Sequence, residues 1–251
     1  MIRRPPNAWH FLYCKGVPKL KTAILVDGGF YRKRAHVLWG DKTPSERADE
    51  LFKYCTKHIS IQNSKNKIEH CCLYRIFYYD CDPIEKKVYH PLLKKTVDLK
   101  KKDTYQWSFD FFDELRKKRK VALRKGELSE SSTCYVLDDS VLKKLFKGEL
   151  LLEDIKETDF IFKVSQKGVD MRIGLDIASL AYKKQVDQII LISGDSDFVA
   201  AAKLARREGI DFILDPMWAE IRPNLSEHID GIMSAGDKAK DPSKATKEKV
   251  V

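Results

Sequence analysis

Short apolar runs, each stopped by turn-forming residues, set the pattern of this chain. Thr22-Ala23-Ile24-Leu25-Val26 ends at Asp27-Gly28-Gly29, and Cys71-Cys72-Leu73-Tyr74-Arg75-Ile76-Phe77-Tyr78-Tyr79 ends at Asp80-Cys81-Asp82-Pro83. Phe160 to Val164, Gln188 to Ile192 and Ile210 to Leu214 repeat the motif later in the chain. Runs of this length, rich in β-branched and aromatic residues, predict strands buried on both faces. Between them the apolar spacing becomes helical, over roughly 170–184 and 198–207, the second closed by Gly209. Strands alternating with helices in short units predict an α/β fold with a mostly parallel sheet and right-handed crossovers.

Elsewhere the pattern is less regular. Pro44-Ser45-Glu46-Arg47 reads as a helix start, followed by Leu51, Phe52, Cys55 and Ile59 at helical spacing. Over 84–158 the periodicity weakens to a helix at Phe109 to Lys118, a strand at Val121 to Arg124 and a helix near Val141 to Phe146. That stretch reads as an insertion or elaboration within one domain spanning 21–235. Residues 1–20, with Pro18, Trp9, Phe11 and Tyr13, read as an arm packed on the domain. Residues 236–251 are Lys-rich with little to bury, and are expected to be disordered.

The strand ends carry the candidate chemistry. Ile189-Ile190-Leu191-Ile192 runs directly into Ser193-Gly194-Asp195-Ser196-Asp197, so a buried strand delivers two aspartates to the carboxyl edge of a sheet. Asp27 stands at the end of the first strand and Asp170 at the start of a helix after the third. In a parallel sheet all these ends share one edge, where open α/β folds bind ligands. Two carboxylates about 4 Å apart repel by on the order of 4 kcal/mol at an effective dielectric of 20, so a gathered set needs protons or a divalent cation. Oxygen donors without His or Cys favour Mg²⁺ or Mn²⁺, which polarises a phosphoryl oxygen and supplies hydroxide for attack on a phosphodiester. Each acid also has a plainer role: Asp195, Ser196 or Asp197 can cap the next helix, and Asp170 suits a first helical turn. Asp176, six residues further along that helix, does not share a face with Asp170 and is at most a secondary ligand.

Composition narrows the picture further. The chain of 251 residues carries a formal net charge of +10, concentrated in clusters. Arg116, Lys117, Lys118, Arg119, Lys120, Arg124 and Lys125 form the densest, and are the candidate contacts to a polyanion, which gains from counterion release. The six cysteines follow no Cys-x-x-Cys or framework spacing and read as free thiols. No apolar run approaches the roughly 18 residues of a membrane helix, and the first residues lack an apolar signal core, so a soluble cytoplasmic protein is expected.

Together, Val26-Asp27-Gly28-Gly29, Lys167-Gly168-Val169-Asp170, Leu175-Asp176 and Ser193-Gly194-Asp195-Ser196-Asp197-Phe198 resemble the NYN domain family, the LabA-like branch of the PIN-like metal-dependent nucleases. The resemblance covers most of 22–234. It implies a three-layer α/β/α fold with an acidic pocket that binds Mg²⁺ or Mn²⁺ and cuts RNA or single-stranded nucleic acid. Asp27, Asp170, Asp195 and Asp197 match the acidic positions and Asp176 a less constant one. Leu225 and Asp230 resemble the late Leu and Asp of the family. Many members have Asn three residues after the first Asp, where this chain has Phe30.

Two other readings use the same residues. A nucleic-acid or protein-binding module could keep the fold without cutting, which suits Phe30 and the basic balance. A phosphatase of the haloacid dehalogenase type needs a second acid two residues after its first aspartate, and Gly29 stands there.

Overall fold

A computed structural model describes residues 20–62, 68–70, 72–221 and 223–236. The arm expected over 1–20, apart from residue 20, and the tail after Gly236 lie outside the described residues. The core is a seven-stranded sheet. Its strands are β1 (Lys21–Asp27), β4 (Cys72–Cys81), β7 (Val121–Leu137), β8 (Phe160–Lys167), β9 (Gln188–Ile192), β10 (Asp211–Asp215) and β11 (Gly231–Ile232). Across the sheet the order is β11-β10-β9-β1-β4-β7-β8. Six strands are parallel; only β8 runs antiparallel, against β7 at the edge.

Helices cover both faces, giving three layers. The apolar runs explain why: successive residues of a strand point to opposite faces. Ile24, Val26, Ile76, Tyr78, Ile190 and Ile192 face one core, which packs against α1 (Gly28–Trp39), α2 (Pro44–Lys57) and α3 (Asp103–Lys117). Leu25, Phe77, Tyr79, Ile189, Leu191 and Phe212 face the other, which packs against α5 (Val169–Tyr182) and α6 (Val199–Arg207). The four central residues Ala23 to Val26 of β1 are wholly buried, as befits the middle strand.

The helix expected from Pro44 begins there, and a capping box fixes it: Thr43 Oγ1 accepts from Glu46 N–H while the Glu46 carboxylate accepts from Thr43 N–H. The turn expected after Asp27 is not formed. The chain instead enters α1 at Gly28, and Asp27 caps it by accepting from Phe30 N–H at 3.1 Å. Gly28 is required by close approach, because a Cβ there would lie 2.6 Å from the carbonyl oxygen of Tyr79.

Residues 84–158 supply a hairpin of β5 (Lys87–His90) and β6 (Lys95–Asp98), then α3, β7 and α4 (Asp139–Phe146). The expected strand at Val121 to Arg124 is the first part of β7, which continues to Leu137. Its early residues pair in parallel with β4, and the rest forms the antiparallel arm with β8. A small antiparallel pair, β2 (Ser60–Gln62) with β3 (Ile68–His70), joins α2 to β4. Among the described residues Cys55, Cys72, Cys81 and Cys134 form no disulfide. No helix among the described residues is long and apolar enough to cross a membrane.

Candidate functional site

From β1 the chain builds outward through β4 and β7, then returns by α5 to place β9 on the other side of β1. β1 and β9 therefore flank the point where strand order reverses, and a crevice opens at their carboxyl ends. Asp27 ends β1; Ser193, Gly194 and Asp195 follow β9.

The two ends are tied together. Ser193 Oγ donates to Asp27 Oδ2 at 3.3 Å and accepts from Asp195 N–H at 3.2 Å. Asp195 Oδ1 accepts from Asp197 N–H at 3.1 Å, which caps the short 3₁₀ turn Ser196–Phe198 leading into α6. The capping role expected of this Gly-Asp-Ser-Asp segment is thus real for Asp195, while Asp197 points from the same turn without capping it. Asp170 sits in the first turn of α5 after Gly168, whose φ of 78° bends the chain out of β8.

Asp27, Asp170 and Asp195 line one open cavity of about 1100 Å³. Asp197 and Asp170 line a smaller recess beside it. Burial raises the Asp170 pKa first, and the charges of Asp27, Asp195 and Asp197 raise it further, so these four carboxylates sense one another. Asp27 is raised chiefly by burial, against its hydrogen bonds from Phe30, Ser193 and Gly29. None of the four takes part in an ion pair among the described residues. Neither do three or more His, Cys, Asp or Glu side chains among the described residues come close enough to enclose a metal ion. The acids converge on one crevice but do not form a tight cage.

Asp176 is placed elsewhere. Its Oδ2 accepts from Tyr79 Oη at 2.7 Å and Arg124 Nε at 3.0 Å, which commits it to a structural network rather than the cavity. Asp230 likewise accepts from Arg206 Nε at 2.8 Å and Phe212 N–H at 2.9 Å, joining α6 to β10. Leu225 is fully buried in the core.

The basic stretch is divided by the fold. Residues Arg116 to Lys120 join the end of α3 to the start of β7, and Val121 pairs with Ile76, five residues before Cys81 ends β4. Because β7 begins parallel to β4 and β1, this segment lies toward the amino edge, away from Asp27. Arg124 and Lys125 lie level with Tyr79 and Asp80, nearer the carboxyl edge. Most of the group is also engaged: Arg116 with Asp113, Lys117 with Glu114, Lys118 with Asp49, Arg124 with Asp176 and Lys125 with Asp82. Lys120 donates to the carbonyl of Leu73, and Arg119 is exposed. None of the seven lines the acidic cavity.

The cationic side chains that do line it are Arg32, Lys33, Lys42 and Arg47, joined by His36 and Trp107. Arg32 Nη2 is 3.0 Å from Asp80 Oδ1. Asp80 is the penultimate residue of β4, is 2% exposed, and also accepts from Tyr78 Oη and Cys81 N–H. Its pKa is raised by burial, against the pull of Arg32. Asp80 had been legible only as a strand terminator. Phe30 lies against Gly194, where an added Cβ would fall 2.6 Å from its ring, and both line the cavity with Asp27 and Asp195.

No curated protein matches this chain. Among solved structures, a protein of unknown function from Vibrio parahaemolyticus is 15% identical over 89% of this chain and 97% of its own, with a TM-score of 0.42. A noncanonic maltogenic alpha-amylase from Thermotoga neapolitana is 10% identical over 84% of this chain and 48% of its own, with a TM-score of 0.20. Likenesses of that size bear on neither fold detail nor function. The family comparison is informative: residues 98–222 match the NYN domain, a segment that includes Asp170, Asp195 and Asp197 and stops short of Asp27. Residues 98–222 are thus an NYN domain, of a family within the PIN-like nuclease superfamily whose members generally act on nucleic acid with divalent metals.

Proposed function

We propose that this protein is a metal-dependent nuclease that hydrolyses phosphodiester bonds of RNA or single-stranded nucleic acid, with Mg²⁺ or Mn²⁺ held by Asp27, Asp170, Asp195 and Asp197. The observation that carries the reading is the mutual electrostatic strain of these acids at the β1/β9 crevice, where the pKa of Asp170 is raised by burial and by the other three. The donor set fits a hard ion. Mg²⁺ keeps several waters and is commonly bound by one or two carboxylates plus substrate phosphates, so loosely gathered acids suit a site that the nucleic-acid strand completes.

When bound, the ion polarises a phosphoryl oxygen and lowers the pKa of water. The protein's own groups do the positioning. The N–H groups of Phe30 and Gly29 and the Ser193 hydroxyl fix the Asp27 carboxylate, which keeps part of its lone-pair capacity for an ion. The Ser196–Phe198 turn sets Asp195 and Asp197, and the start of α5 sets Asp170. Arg32 and Lys33 on α1 face the same cavity and offer charge to the strand's phosphates.

Purified protein given Mn²⁺ and end-labelled single-stranded RNA is expected to cut it, with cleavage lost in EDTA and in Asp195→Asn. Equal cleavage by Asp195→Asn would sink the assignment. A binding module without hydrolysis is the second reading, favoured by Phe30 at a position where many relatives carry Asn and by the absence of a tight carboxylate cage among the described residues. Retained RNA binding without any cleavage selects it.

A further inference from the structure

A second cavity, of about 260 Å³, adjoins the acidic one and shares Arg32, Thr104, Ser108 and Val164 with it. Its remaining walls are apolar and aromatic, chiefly Pro83, Ile84, Leu99, Tyr105, Leu128 and Phe162. They come from the turn after β4, the start of α3 and the β7/β8 arm, so the elaborated part of the fold builds this space against the crevice.

Polar groups stand at defined places on these walls. Asp80 (2% exposed) and Ser108 (6%) are on the inner side, and Arg32 is held between the two cavities by its ion pair with Asp80. Ser108 Oγ donates to the Thr104 carbonyl at 2.8 Å, which leaves its acceptor capacity for a ligand. Lys102 Nζ lies 5.7 Å from the centre of the Phe162 ring and donates to Tyr135 Oη at 2.9 Å. The space falls below the roughly 300 Å³ at which drug-sized ligands begin, so it takes one small flat group. Apolar walls with a few fixed donors and acceptors match the faces and edge of a nucleobase, and a cation at the mouth matches its phosphate.

We propose that this cavity is a base-recognition subsite: it takes one unpaired nucleobase of a strand whose adjoining phosphate lies at the Asp27 crevice. The inference rests on the nucleic-acid reading given above, but not on hydrolysis. A space of about 260 Å³ suits a single ring system and not a base pair. Phe162, partly exposed, supplies the stacking surface, Tyr105 lines the buried side, and Arg32 joins base site to phosphate site.

The test measures binding in EDTA, so that cleavage plays no part. Labelled hexanucleotides rU6 and rA6 are compared with an abasic strand of the same length and charge, for the unaltered protein, for Phe162→Ala, and for Thr104→Phe. The last fills the mouth from an exposed position and removes no core contact. The unaltered protein is expected to bind at least one base-bearing strand about 10-fold tighter than the abasic strand, the scale of one base stacked on an aromatic ring. Both variants are expected to bring that ratio to within about 2-fold. Equal binding of all three strands by the unaltered protein, or a ratio that survives both variants, overturns the proposal. So does competition by millimolar UMP or AMP with no strand binding, because the cavity would then serve a free nucleotide. A base preference without Mn²⁺-dependent cleavage removes only the nuclease reading; cleavage indifferent to base and to both variants removes only the subsite.

Discussion

Arg32 leaves the first helix to meet Asp80 at the end of the neighbouring strand, 3.0 Å from Nη2 to Oδ1, and the carboxylate it meets is almost wholly buried. Truncating the cation leaves a buried charge with only Tyr78 and Cys81 as partners, so Arg32→Ala is expected to cost about 2–3 kcal/mol near neutral pH, less than a fully buried pair because Arg32 is partly exposed. The sign with pH follows from the raised Asp80 pKa. Stability tied to its protonation is complete below the unfolded value of 3.8 and is lost as pH rises through the higher folded value. Without Arg32 the folded value rises further, so the deficit should be largest at neutral pH and shrink on acidification. Urea denaturation from pH 7 down to pH 4 reads it; a deficit constant across that range contradicts the account.

Asp170 works against the fold that holds it. Its pKa is raised by burial and by three neighbouring carboxylates, so at neutral pH it contributes repulsion. Asp170→Asn is expected to raise the melting temperature by a degree or two without metal, on the order of 0.5 kcal/mol after discounting for its exposure. The same change should abolish cleavage and weaken stabilisation by Mn²⁺. A variant that melts lower than the parent in EDTA would show that this carboxylate supports the structure instead.

Much of this was legible in advance, for reasons particular to each segment. The runs ending at Asp27 and Ile192 are central strands buried on both faces, so their residues carry an unbroken apolar signal, and the acids after them are local to it. Asp80 ends an equally clear strand, yet nothing in the sequence says that β4 pairs with β1 and brings Asp80 near Asp27; that depends on sheet order. The position of Arg116 to Lys120 relative to the acids is hidden for the same reason. Clustered in sequence, they fall where a strand begins, and in a parallel sheet strand beginnings and strand ends lie on opposite edges. The α1 helix hides behind Gly28-Gly29, which read as a turn until the contact with Tyr79 shows that the first glycine serves close packing. The later part of β7 escapes because an antiparallel arm at the sheet edge need not be apolar on both faces.

Gly194 has the Phe30 ring against its backbone, with 2.6 Å between an added Cβ and Cε2. Gly194→Ala is therefore expected to cost about 1–2 kcal/mol as the ring is pushed aside, the usual scale of overpacking. Phe30→Ala combined with Gly194→Ala should recover about 1 kcal/mol relative to the sum of the single changes, because the two share one contact. Thermal or urea unfolding of the four proteins closes the cycle. At Gly28 no such relief exists, since the obstacle is the Tyr79 carbonyl oxygen, and Gly28→Ala should remain costly whatever is done to nearby side chains.

Salt dependence discriminates the two basic surfaces. Each phosphate neutralised on a single strand contributes about 0.7 to the slope of log K against log salt. Lys33 and Lys42 line the acidic cavity, whereas Arg116 and Arg119 lie toward the opposite edge of the sheet. A strand threaded past Asp27 and Asp195 reaches the first pair directly, so Lys33→Ala with Lys42→Ala should flatten the slope by up to about 1.4. Lys42 also pairs with Glu50, which makes the full value an upper bound for that residue. Arg116→Ala with Arg119→Ala should leave the slope of a hexanucleotide unchanged, because the helices covering both faces of the sheet stand between that edge and a strand held at the crevice. Should the second pair flatten the slope and the first leave it intact, the strand lies along the amino edge of the sheet, and the cavity that gathers the carboxylates is not where it binds.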